Sequence, residues 1–252
     1  MKTILASILA ISCILAAPPP PAQGAEASEA LAAALASPGR PEGDRERDAG
    51  RKPTEVIAFL GIKPGMTVID LVAAGGYYTE VLSGAVGPTG KVYAQNGAFV
   101  LKIRDGVNDK AMTARLAGNR LSNVERLDRE MSDLGLAPES VDAAFTALNF
   151  HDIHNGSGRK GALRFLAAVR AALKLGGTLG LIDHSGGAGG DDAELHRIDE
   201  ALVETLVKSV GFEVEARSEL LRNPEDDRTK NVFDPTIRGK TDRFVLLLRR
   251  TS

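Results

Sequence analysis

From residue 66 onward, short apolar runs alternate with stretches of helical periodicity, and this alternation restricts the fold more than any other feature of the chain. The runs at 66–71, 91–95, 124–127, 141–147 and 178–183 read as strands, and the segments 77–85, 109–117 and 160–173 as helices. Leu195, Ile198, Leu202, Leu206 and Val210 share one face of a further helix that Gly211 ends. Strand, helix and strand in succession close as right-handed crossovers on a parallel sheet with helices on both faces. The last two strands, near 212–216 and 244–248, have no helix between them, which predicts an antiparallel strand at one edge. The expected fold class is therefore α/β, a doubly wound and mostly parallel sheet in a single domain.

Length and composition agree with one such domain: 252 residues, 43% apolar and 25% charged. A formal net charge of -2 excludes a strong global attraction to nucleic acid, and aromatics at 4% with no tryptophan offer no stacking platform for bases. A small-molecule partner is expected. One cysteine and four histidines exclude a disulfide framework and a cysteine-rich zinc site.

Lys2 precedes an apolar run at 4–17 that is too short to span a bilayer and suits the core of a secretory signal. The small residues after the prolines at 18–21 place cleavage after Ala25 or Ala27. Three segments follow: a signal peptide at 1–25, an N-terminal helix and charged linker at 26–52, and the main domain at 53–252. The chain is expected to be exported, to the periplasm, with no stable membrane insertion after cleavage. Cys13 lies inside the run, and lipidation there is the alternative. The linker portion, 40–52, is dense in charge and reads as solvated. Pro53 then opens a short helix that Gly61 closes.

In a doubly wound sheet, ligands bind beyond the carboxyl ends of the strands where strand order reverses. The first strand ends in Asp70-Leu71-Val72-Ala73-Ala74-Gly75-Gly76, whose small residues admit close approach of a ligand to the backbone. A tight strand-to-helix turn is the other reading of the same residues.

The order Ile62-Lys63-Pro64-Gly65-Met66-Thr67-Val68-Ile69-Asp70-Leu71, the loop, and Gly90-Lys91-Val92-Tyr93 together resemble the start of a class I S-adenosylmethionine-dependent methyltransferase. The likeness is strongest to an exported bacterial subgroup of predicted methyltransferases. It continues through Leu148-Asn149-Phe150-His151-Asp152 and His196-Arg197-Ile198-Asp199 to Gly239-Lys240-Thr241-Asp242-Arg243-Phe244. It implies a Rossmann-like sheet of seven strands with the last reversed, S-adenosylmethionine as cofactor, and methyl transfer to an unidentified small-molecule acceptor. It also implies cofactor contacts from Asp70, Ala74, Gly75, Gly76, Asn96, Glu130 and Asn149, Asn149 being equally suited to hold the acceptor. Val72 and Ala74 stand where the family's loop has its first two glycines, and Gln95-Asn96 where it has an acidic residue for the ribose.

All four histidines follow strand ends in the second half of the sheet: His151, His154, His184 and His196. His151 is the expected catalytic base, since imidazole accepts a proton near neutral pH, with Asp152 and His184 as neighbours and Asp152 or Asp183 orienting the ring. His151, Asp152, His154 and His184 also have ligand chemistry for zinc, but in no standard zinc spacing, so no metal is assigned. The charged insertion at 222–240 reads as a wall of the acceptor pocket. The competing functions are a binding protein that keeps the fold without methyl transfer, and a metal-dependent hydrolase built on the histidines.

Overall fold

The computed structural model describes residues 23–187 and 191–251; the apolar run at 4–17 and Cys13 lie outside the described residues. Three helices, α1 (Gln23–Leu35), α2 (Glu42–Arg51) and α3 (Pro53–Leu60), precede the sheet. Then come β1 (Thr67–Leu71), α4 (Tyr77–Val86), β2 (Lys91–Gln95), α5 (Ala98–Leu116), β3 (Val124–Leu127) and β4 (Val141–Ala147). The chain finishes with α6 (Phe150–Ala172), β5 (Leu173–His184), α7 (Glu200–Ser209), β6 (Phe212–Ser218) and β7 (Arg243–Arg250).

The seven strands form one sheet in the order β3-β2-β1-β4-β5-β7-β6, and β7 runs antiparallel to both of its neighbours. This is the expected Rossmann-like architecture. Apolar pattern explains the positions of the last two strands. Residues 244–248 of β7 are apolar without interruption and buried, as a strand covered on both faces must be, whereas in β6 the exposed residues alternate with half-buried ones, and only Phe212 is fully buried, as in an edge strand.

Side chains of β1 alternate between two cores. Ile69 and Leu71 pack with Phe150, Phe165, Leu166 and Val207 from α6 and α7; Val68 packs with Val56, Leu60, Val81 and Leu82 from α3 and α4. No helix among the described residues is long and apolar enough to cross a membrane.

Three segments depart from expectation. Residues 40–52 are not a solvated linker: α2 occupies most of them, and Arg40 and Asp44 are buried. Burial is tolerated because Arg40 pairs with Asp48, and Asp48 also accepts from the Tyr77 hydroxyl at 2.6 Å. The helix expected from Leu195 starts only at Glu200, because the Asp199 carboxylate accepts from the amides of Ala201 and Leu202 and caps it there. Residues 150–157 are helical and not a loop, so His151 sits on the first turn of α6, which is broken at Gly158 (φ 63°).

Candidate functional site

Strand order reverses between β1 and β4, and a crevice of about 600 Å³ opens there. Its floor is the loop after β1, Val72 to Gly76, with Asp70 beneath; Leu148 and Asn149 form one wall, and Arg47, Arg51, Arg115 and Arg120 the other.

Val72, Ala74 and Gly76 have φ of 53°, 50° and 87°. The backbone therefore keeps a left-handed twist at alternate positions, although only the third is glycine, and the valine in particular is strained. Buried amides hold it. Gln95 Oε1 accepts from the Val72 amide at 3.0 Å, while its Nε2 donates to the Arg129 carbonyl. Asn96 Oδ1 accepts from the Ala74 amide at 2.8 Å, and its Nδ2 donates to the Ala74 carbonyl at 3.1 Å.

Two of the residues expected to contact the cofactor bond to backbone instead of facing the crevice. Asn96 is buried, and its side chain supports the loop through both bonds to Ala74. Glu130 accepts from the Ala98 amide in a separate hollow beyond β3, away from the crevice. Asn149 does line the crevice, and its Nδ2 donates to the Val72 and Ala147 carbonyls, joining the β1 loop to β4.

Gly75 and Gly76 admit a helix closely. Arg115 of α5 donates to the Gly75 carbonyl at 2.9 Å, and a Cβ on Gly76 would lie 2.9 Å from Arg115 Cδ. Arg115 also pairs with Asp44 at 2.7 Å and with Glu80, tying α2, the loop and α4 together.

Asp70 accepts from the Thr79 hydroxyl at 2.6 Å. Burial raises its pKa to about 7, against the pull of Thr79, Arg115 and Arg51. In the unfolded chain it ionises near 3.8, so between about pH 4 and 7 the folded state holds the extra proton and loses stability as pH rises. At full ionisation the penalty is on the order of 4 kcal/mol. Melting curves of the wild type and Asp70→Asn should diverge over that window, the wild type falling relative to the variant; parallel curves would show that Asp70 is ionised without cost.

Arg51 is the cation of the crevice without a carboxylate partner among the described residues. Its guanidinium lies 4.3 Å from the Tyr77 ring centroid and 5.6 Å from that of Tyr78, a cation–π arrangement.

The histidines gather at a second place. Asp183, fully buried at the end of β5, accepts from the His151 amide at 2.7 Å, from His151 Nδ1 at 2.6 Å and from the His184 amide at 2.8 Å. His196 Nδ1 meets Asp152 Oδ1 at 2.9 Å, and His184 Nδ1 meets Thr241 Oγ1 at 2.8 Å. The ring of His151 lies 5.6 Å from that of His184 and 5.7 Å from that of His196. His154 is half-buried beside Asn155 and outside the group, while His196, which spacing did not select, is inside it.

Electrostatics reverse the role expected of His151. Burial works against its charge, but Asp183 and Asp152 outweigh burial and lift its pKa to about 10, so at neutral pH it is a held imidazolium and a poor proton acceptor. His184 is pushed well below the ordinary value by burial and by the charge of His151, and stays neutral. None of the four histidines is among the residues lining the crevice. The insertion at 222–240 likewise walls the histidine group and not the crevice: Phe233 packs edge-on against His196 at 4.9 Å.

No protein-family model and no curated protein matches the chain by sequence. Solved structures do match in fold. A SAM-dependent methyltransferase from Aquifex aeolicus superposes with a TM-score of 0.59 at 25% identity, over 79% of this chain and 89% of that one. This is the methyltransferase fold. An arsenic(III) S-adenosylmethionine methyltransferase from Chlamydomonas reinhardtii matches at a TM-score of 0.55 and 18% identity, over 94% and 75% of the two chains. The [4+2]-cyclase SpnF matches at 0.59 and 15%, over 81% of each, so the same scaffold also carries other chemistry.

Proposed function

We propose that the chain is a methyltransferase that binds S-adenosylmethionine in the β1/β4 crevice and methylates a small molecule. The observation that carries this reading is the crevice itself, at the switch point of a methyltransferase fold, with Arg51, which has no carboxylate partner among the described residues, on its wall. Its volume, about 600 Å³, suits a nucleoside carrying an amino-acid tail. Arg51 and Arg47 are placed to take the cofactor's carboxylate, and Asp70 to face its positive charge.

When bound, the cofactor supplies a methyl group made electrophilic by the adjacent sulfonium. The residues of the chain contribute alignment. Gln95, Asn96 and Asn149 hold the loop in its left-handed path, and Arg115 locks it against α2 and α5.

Calorimetry with S-adenosylmethionine or its demethylated product tests the reading. Stoichiometric binding is expected in the wild type, weakened at least about tenfold, some 1.4 kcal/mol, in Arg51→Met. Absence of heat in the wild type would overturn the proposal, and an unchanged Arg51→Met would place the ligand elsewhere. Export is part of the same proposal, motivated by the apolar run at 4–17. A mature, water-soluble chain beginning near Glu26 or Ser28 would support it, whereas a mature chain beginning at an acylated Cys13 would overturn cleavage near residue 25.

A further inference from the structure

We propose that His151, Asp152 and His196 bind one divalent transition-metal ion, at a place separate from the crevice and independent of the methyl-transfer reading. One ligand atom from each residue lies within 4.8 Å of the others. Asp152 Oδ1 stands 3.3 Å from His151 Nε2 and 2.9 Å from His196 Nδ1. Donors bound tetrahedrally to such an ion are about 3.3 Å apart, so two of the three pairs already have nearly the spacing that coordination requires.

A second observation points the same way. His151 is 2% exposed and its Nε2 is buried, yet that nitrogen makes no hydrogen bond, for the 3.3 Å contact to Asp152 lacks the direction of one. A buried nitrogen left unpartnered is costly, and a metal ion satisfies it. The other nitrogen, Nδ1, faces the Asp183 carboxylate at 2.6 Å. A carboxylate behind the ring is the usual support of a ligating histidine, since it fixes the ring and presents Nε2 to the metal. Asp183 is itself pinned by the amides of His151 and His184, so the support is rigid.

Two imidazole nitrogens and one carboxylate select a borderline ion such as Zn²⁺, Co²⁺, Ni²⁺ or Fe²⁺ over Ca²⁺ or Mg²⁺, which favour oxygen. The side chains of Asp152 and His196 are 57% and 36% exposed, so the site opens to solvent. With three protein donors, a position remains for water or an oxygen-donor ligand. The ligands come from α6 and from the segment before α7, 44 residues apart in sequence between Asp152 and His196, which is why no local spacing announced them.

The test is titration of the metal-stripped full chain with Co²⁺ alone, read by its visible absorption and by bound metal after gel filtration, with Zn²⁺ as competitor. One Co²⁺ per chain is expected, displaced by Zn²⁺. His196→Ala should weaken binding more than about 100-fold, beyond the loss typical of an outer-sphere partner, while His154→Ala leaves it unchanged. His196 and Asp152 are partly exposed, so their alanine variants should melt close to the wild type and Asp152→Ala provides a second reading. No stoichiometric Co²⁺, or binding that survives both His196→Ala and Asp152→Ala, would overturn the proposal and leave an imidazolium–carboxylate network only. Because no S-adenosylmethionine is present, this result is independent of the crevice experiment.

Discussion

Replacing Arg197 with methionine should lower the unfolding free energy by about 3–5 kcal/mol, the cost of stranding a buried charge. Arg197 and Asp226 are both fully buried and joined by two hydrogen bonds, Nη1 to Oδ2 at 2.9 Å and Nη2 to Oδ1 at 3.0 Å. Arg197 also donates to the Ser185 and Lys230 carbonyls, and Asp226 accepts from the Asp242 and Arg228 amides. The pair is thus the pin that orders the insertion between β6 and β7 and presents the neighbouring His196. Denaturant midpoints of Arg197→Met, Asp226→Asn and the double variant measure it. The double variant should be much less destabilised than the sum of the singles, because removing both partners leaves no unpaired charge. Additive losses would show that the two residues act separately.

Gly76→Val should cost on the order of 3 kcal/mol and abolish binding of S-adenosylmethionine in the crevice. The backbone there has φ of 87°, a region that a β-branched residue does not enter without strain. The added Cβ would also stand 2.9 Å from Arg115 Cδ and 3.0 Å from Met112 Cε. Arg115 cannot withdraw cheaply, since Asp44, Glu80 and the Gly75 carbonyl hold it. Gly61→Val is the control: its φ of 66° and ψ of 26° lie in the same left-handed region, but nothing lies within 4 Å of the Cβ, so it isolates strain from collision. Ala74→Gly should do the opposite and raise stability by roughly 1 kcal/mol, because glycine adopts φ of 50° without a Cβ penalty. Equal losses in Gly76→Val and Gly61→Val would remove Arg115 from the argument.

Part of the site was legible in the residues. Asp70, Ala74, Gly75, Gly76 and Asn149 all line the crevice, because the turn after a buried strand at the switch point is set by chain order and by small residues. Asn96 and Glu130, inferred from strand ends, instead bond to the backbone of other segments, at Ala74 and Ala98, which no local pattern in the sequence reports. His151 was placed at the right strand end, but its protonation depends on Asp183, 32 residues away, and so lay beyond any local reading.

The amino-acid sequence by itself determined the strands, their alternation with helices, and the direction of the chain through the sheet. These depend on periodicities of 2 and 3.6 that a backbone expresses wherever it is buried. The unbroken apolar run of 244–248 and the alternation of 212–218 agree with the inner and edge positions that β7 and β6 take. Only the tertiary structure decided which charges are solvated and which are buried. Arg40 and Asp44 look like surface from their neighbours in sequence, yet both are buried, because Tyr77 of α4 and Arg115 of α5 approach them from across the fold. Local pattern reports how much apolar surface a segment must hide. Whether a charge can be hidden depends on an opposite charge arriving within a few ångströms, and that is a property of the folded chain alone.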